Sequence, residues 1–100
     1  MYAVRVSLKA IPDIRNAHAW YQKEGPGLAQ DFLEELQTFV EKIAETPHTF
    51  SPVPQRDARF AMLKRFPYKI YFQINEAVKR VEIVAVVHKS RNPSIWKRRL

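Results

Sequence analysis

The sequence predicts an α+β domain of order β-α-α-β-β-β, a helical hairpin packed on one face of a mostly antiparallel sheet, with a short C-terminal helical tail. Three observations carry this prediction. An alternating N-terminal segment gives way to two stretches of helical period. A Gly-Pro-Gly turn separates those two stretches. Alternating β-prone segments then fill most of the second half.

The first strand is Tyr2–Lys9, with Tyr2, Val4, Val6 and Leu8 on one side and Arg5, Ser7 and Lys9 on the other. Over Ile11–Glu24 the period changes: Ile14, Ala17 and Tyr21 share a helical face with Trp20 at its margin. Pro12 suits the first turn, where its missing N–H costs nothing. Gly25-Pro26-Gly27 ends this helix, because glycine accepts a left-handed cap and proline cannot continue. The second helix carries an apolar stripe of Leu28, Phe32, Leu36, Phe39, Val40 and Ile43 on an otherwise acidic cylinder, and Thr46-Pro47 stops it. So short a link predicts an antiparallel hairpin.

Thr49–Asp57, with Pro52 and Pro54, reads as an irregular loop. Arg59–Arg65 is β-prone on both sides. Tyr68–Asn75 places Tyr68, Ile70, Phe72 and Ile74 on one face and Lys69, Tyr71 and Gln73 on the other. Arg80–His88 repeats the pattern, with Val81, Ile83, Ala85 and Val87 opposed to Glu82, Val84, Val86 and His88. Glu76–Lys79 makes the hairpin link between these last strands. Asn92-Pro93 opens the tail, Ser94–Leu100. With the hairpin covering one sheet face, the other is expected to be open, lined by Lys69, Tyr71, Gln73 and His88.

The 100 residues suffice for one domain, and no repeat or low-complexity segment divides them. No apolar run approaches the roughly 20 residues that span a bilayer. The N-terminus lacks the apolar core of a signal peptide, so a cytoplasmic protein without membrane association is expected. There is no cysteine, hence no disulfide framework or thiolate metal site, and His18, His48 and His88 lack ligand spacing. No cofactor or metal is expected. The net charge of +7 is unevenly placed: residues 1–50 hold five Lys/Arg against seven Asp/Glu, and residues 51–100 twelve against three. A polyanionic or acidic protein partner for one side of the molecule follows.

Several of these residues also form an ordered series that resembles the RelE/ParE toxin superfamily. The series is Ala17, Trp20-Tyr21, Pro26-Gly27-Leu28, Phe32-Leu33, Glu45-Thr46-Pro47 and, above all, the unbroken run from Leu63 through Lys64-Arg65-Phe66-Pro67-Tyr68-Lys69-Ile70 to Tyr71. A valine-rich strand into His88, then Arg91-Asn92-Pro93, Trp96 and Arg99, completes it. The resemblance covers roughly residues 10–99 and implies the toxin of a bacterial type II toxin–antitoxin system, neutralised by a cognate antitoxin. It implies one of two activities: ribosome-dependent cleavage of mRNA, as in RelE-like endoribonucleases, or poisoning of DNA gyrase, as in ParE-like members.

For cleavage, His88 is the candidate proton-transfer group, and Arg65 and Arg91 are candidate phosphate holders. Arg59, Lys64, Lys69, Tyr71 and Trp96 are candidate RNA- or target-binding residues, cations for phosphate and rings for stacking. Each has an ordinary structural role as well. Trp20 and Tyr21 read first as packing aromatics, His88 as a strand-end histidine bonded to nearby backbone, and Trp96 as a plug for the tail. The positions matching the paired lysines of RelE-like enzymes are Phe60 and Met62, and the C-terminal aromatic is Trp96 where RelE has tyrosine. These departures favour the ParE-like, or plasmid stabilisation, branch. The alternatives are a non-catalytic family member that acts as a binding module with its antitoxin, and a small basic nucleic-acid-binding domain.

Overall fold

A computed structural model describes all of residues 1–100. Strand β1 (Ala3–Val6) leads into helices α1 (Ile11–Glu24) and α2 (Leu28–Glu45), and a 3-10 turn (Pro47–Thr49) follows. Strands β2 (Ser51–Pro52), β3 (Arg59–Met62), β4 (Tyr68–Asn75) and β5 (Arg80–His88) come next, and helix α3 (Ser94–Lys97) ends the chain. The sheet order is β1-β5-β4-β3-β2, with β1 parallel to β5 and every other pair antiparallel. The expected class and element order therefore hold. The one added strand, β2, is a two-residue pairing inside the segment expected to be irregular.

The helical hairpin forms as its periodicity requires. Phe32, Leu36, Phe39 and Ile43 of α2 are buried, and they pack with Ala17 of α1 and with Ile70, Phe72, Val81 and Ile83 of the sheet. Fully burying a side chain of this size contributes about 1.5–3 kcal/mol. The left-handed residue of the interhelical turn is Gly27 (φ 78°), whereas Gly25 is extended. At one end of this core Tyr21, Phe32, Phe66 and Tyr68 form an aromatic cluster with ring centroids 4.8–6.1 Å apart. Phe66-Pro67-Tyr68 thus serves as turn and strand entry.

Two sheet features differ from the sequence reading. The first is a bulge in β5. Tyr71 pairs with Ala85 and Phe72 with Ile83, so Val84 has no partner opposite it. One extra residue reverses the facing of everything beyond it. Val81, Ile83 and Val86 therefore join the helix-side core, while Val84, Ala85 and Val87 face the other way. His88, expected beside Lys69 and Tyr71, instead lies on the helix side with its ring 5.5 Å from Tyr68. Uninterrupted alternation through β5 is corrected on this point.

The second difference is that the far face is not open. A smaller core of Val53, Ala58, Tyr71, Val84, Ala85, Val87 and Trp96 fills it, with Phe60, Ile95 and Leu100 at its margin. Trp96 lies flat on Tyr71, centroids 4.1 Å apart and planes at 17°, and both rings are buried. The chain beyond β5 carries Trp96 back across the sheet.

Candidate functional site

Register determines which expected site residues can meet. Met62 pairs with Lys69, Tyr68 pairs with His88, and the Lys89 N–H donates to Pro67 O at 2.8 Å. The β3–β4 turn and the exit of β5 therefore lie side by side at one end of the sheet. Lys64, Lys69, Lys89 and Arg91 belong to these segments, Arg91 on the helix side, Lys69 on the tail side and Lys64 beside the α2 carboxylates. None of them is ion-paired, since the salt bridges of the molecule engage only Arg5, His48, Arg65, Lys79 and Arg99. Lys97 and Arg98 of the tail are likewise free of carboxylate partners. Unneutralised cations at one end give a local positive potential suited to an anionic partner.

On the helix side of this end, His88 and Arg91 border a cavity of about 240 Å³. Asn16, Ala17 and Trp20 of α1, Tyr68, Asp13, Val86 and Val87 complete its lining. Trp20 is 57% exposed, so it borders the cavity instead of packing in the core, contrary to its expected role. Burial raises the Tyr68 phenol above its ordinary value, with Arg91 acting in the opposite sense, and the hydroxyl stays a neutral donor. His88 Nδ1 accepts the Ser90 N–H at 3.0 Å. In the neutral ring that bond puts the proton on Nε2, by the logic of hydrogen-bond assignment. The neutral ring thus carries its N–H on Nε2, and the Nδ1 lone pair is already occupied.

The other expected residues are dispersed. Arg65 turns toward α2, pairing with Asp31 at 3.3 Å while its N–H is held by both Glu35 carboxylate oxygens at 3.1 Å. Arg59 is partly buried and donates to Phe50 O at 2.6 Å, tying the β2 segment to the sheet. It lies beside His48 and Glu76, on a separate cavity of about 230 Å³. Lys69 sits on the tail side, its ammonium 4.8 Å from the Phe60 ring centroid. Tyr71 and Trp96 are stacked on each other, so their faces are not free for a base; burial also raises the Tyr71 phenol. The structure brings together His88 and Arg91 and divides the remainder between two faces. No group of three His, Cys, Asp or Glu side chains converges as a metal site. No helix is long and apolar enough to cross a membrane.

Two residues of this region gave no sequence signal of their role. Asp13 in the first turn of α1 and Arg99 in the tail meet at 2.6 Å, both largely buried, at the edge of β5. In sequence Asp13 is an ordinary acidic residue at a helix start, favourable to the helix dipole, and Arg99 one charge of a basic terminus.

This topology recurs in solved structures of toxin–antitoxin proteins. The chain is similar to a protein of the chromosomal ParDE toxin–antitoxin system of P. aeruginosa, with TM-score 0.76 and 19% identity over 88% of this chain and 96% of that one. It is also similar to a chain of the intact E. coli RelBE toxin–antitoxin complex (TM-score 0.63, 16% identity, 91% and 100% covered). The isolated E. coli RelE toxin matches at TM-score 0.62 with 15% identity, over 98% and 95% of the two chains. No curated protein matches by sequence. The sequence profile of the ParE toxin of the type II toxin–antitoxin system parDE matches residues 4–93, and the chain belongs to that family.

Proposed function

We propose that this toxin arrests growth by binding a macromolecular target through its cationic end, in the manner the ParE-like resemblance implies for DNA gyrase, and that a cognate antitoxin neutralises it by covering that end. One observation carries the choice of target. The sheet face where a RelE-like nuclease would place charged groups is filled by Phe60, Tyr71, Val87 and Trp96. Phosphoryl-transfer chemistry on RNA requires cations at the developing charge and a group free to accept a proton. Apart from Lys69 at its margin, the side chains of that face supply neither. The engagement of His88 Nδ1 supports the same choice, because a ring whose lone pair is occupied is a poor general base. The unpaired cations Lys64, Lys69, Lys89 and Arg91 would orient and speed an encounter with an acidic surface, and the antitoxin would exploit the same field with acidic residues on a helix or extended segment.

A second reading rests on a different observation. His88, Arg91, Tyr68 and Trp20 border one cavity, an arrangement that could hold a nucleotide of mRNA on the ribosome. Purified protein added to gyrase supercoiling reactions and, separately, to translating ribosomes discriminates between the two. Inhibited supercoiling with intact mRNA is the expected result. Ribosome-dependent mRNA cuts abolished in Arg91→Ala would replace the gyrase reading with the nuclease one.

A further inference from the structure

We infer that Asp13 is a positioning residue for the His88–Arg91 cavity: it holds the β5 bulge and thereby fixes the face on which His88 lies. β1 pairs with β5 only as far as Val6 opposite Ile83, and the Ser7 N–H closes that ladder on Ile83 O at 2.8 Å. Beyond Ile83 the strand has no neighbour on that side, and the bulge at Val84 falls at this point. An unpaired edge and a bulge together leave backbone groups that need partners.

Asp13 supplies one of them. Its Oδ2 accepts the Val86 N–H at 3.0 Å. The same oxygen accepts from Arg99 Nη1 at 2.6 Å, and Oδ1 accepts from Nη2 at 3.3 Å. Arg99 in turn donates to Val84 O at 3.1 Å. Two backbone groups, one on the bulged Val84 and one two residues further on, are thus held by one guanidinium from the tail and one carboxylate from α1. The Asp13 and Arg99 side chains are only 13% and 17% exposed, so water competes weakly for these bonds.

The consequence for the cavity follows from strand geometry. Register beyond Val84 decides whether Val86 and His88 face α1 or face the tail. With the bulge in place His88 lies against Tyr68 and the cavity beside Asn16 and Trp20. Without it, regular alternation would turn the imidazole toward Lys69 and Tyr71. A carboxylate bonded to the Val86 N–H and the Arg99 fork in this register alone favours the first arrangement. Asp13 therefore acts on the cavity through the backbone.

The functional part of this inference rests on the proposal that the His88–Arg91 end is the working surface; the structural part does not. The test uses the full chain, made by cell-free synthesis to avoid toxicity, with hydrogen exchange followed at Val86 and nuclear Overhauser contacts followed from the His88 ring. In Asp13→Ala, Val86 should exchange about tenfold faster or more, the size expected when a part-buried hydrogen bond is lost. Contacts from His88 to the Tyr68 ring should weaken at the same time, a local change that uniform loss of stability would not produce. Asp13→Asn keeps a carbonyl acceptor and should retain most of the protection, and Arg99→Ala should leave the Val86 bond and the His88 contacts in place. If Asp13→Ala does not fold, Asp13→Ser, whose hydroxyl is too short to reach, gives the same comparison.

Unchanged Val86 protection and unchanged His88 contacts on removing the carboxylate would overturn the inference. Growth arrest separates it from the site proposal. If His88→Ala and Arg91→Ala still arrest growth while Asp13→Ala loses Val86 protection, the positioning role stands and the site proposal fails. If those two variants abolish arrest while Asp13→Ala keeps both protection and contacts, the site proposal stands and the positioning role is overturned.

Discussion

The two faces of the sheet bury comparable kinds of side chain and hold them by different means. On one face 14 buried residues interlock between α1, α2 and the strands, and the aromatic cluster around Phe32 links both helices to the β3–β4 turn. On the other, Trp96 of a four-residue helix completes a cluster with six further buried residues. The contrast is one of a main core against a smaller one. The helix face is a core in the ordinary sense. The tail face is a local cover, and Lys89 and Arg91, which make no ion pair, follow directly where β5 leaves the sheet.

Phe32→Ala should open the largest gap between the faces. Phe32 is fully buried at the meeting of four elements, and its truncation should cost about 3–5 kcal/mol, read by urea denaturation. Trp96→Ala should cost less, about 2 kcal/mol, since a short tail can detach without the hairpin unfolding. Limited proteolysis should then cut the variant after β5 while leaving the remainder intact. Equal losses for the two variants, with global unfolding in both, would erase the distinction between core and cover.

Alkaline titration gives a smaller effect. Burial raises Tyr21, Tyr68 and Tyr71 above their unfolded value of 10.0. A raised phenol means the folded chain holds its proton longer, so its stabilising contribution is complete below pH 10.0 and is lost as pH rises through the folded values. Denaturation midpoints should fall above that pH, and Tyr71→Phe should blunt the fall. The smallest change in stability is expected at the cationic end. Lys89→Ala and Arg91→Ala should shift stability by no more than about 0.5 kcal/mol, because neither makes an ion pair.

Most of the helix face was legible in the sequence. The stripe from Phe32 to Ile43 has one period and a polar opposite side, and β4 alternates without interruption. β5 was legible only to Ile83. Val84, Ala85, Val86 and Val87 are all apolar, so nothing in their chemistry marks which pair shares a face, and a bulge among them leaves no trace in the pattern. That gap also hid the placement of His88. The plug role read for Trp96 holds, whereas the open far face and the packing role read for Trp20 do not. Trp20 and Trp96 each suit either a core or a binding surface, and only the packing, with Trp96 buried and Trp20 exposed, assigns them. Asp13 was invisible as a partner of Arg99 because 86 residues separate them.

The helix face holds the fold, and we have proposed that toxicity acts through the cationic end. The most direct measurement pairs growth arrest with denaturation for the double variant Lys89→Glu, Arg91→Glu, which reverses charge where no internal partner is lost. The double variant should unfold at the same urea concentration as the parent and no longer arrest growth. Full growth arrest by a normally folded double variant would contradict that proposal.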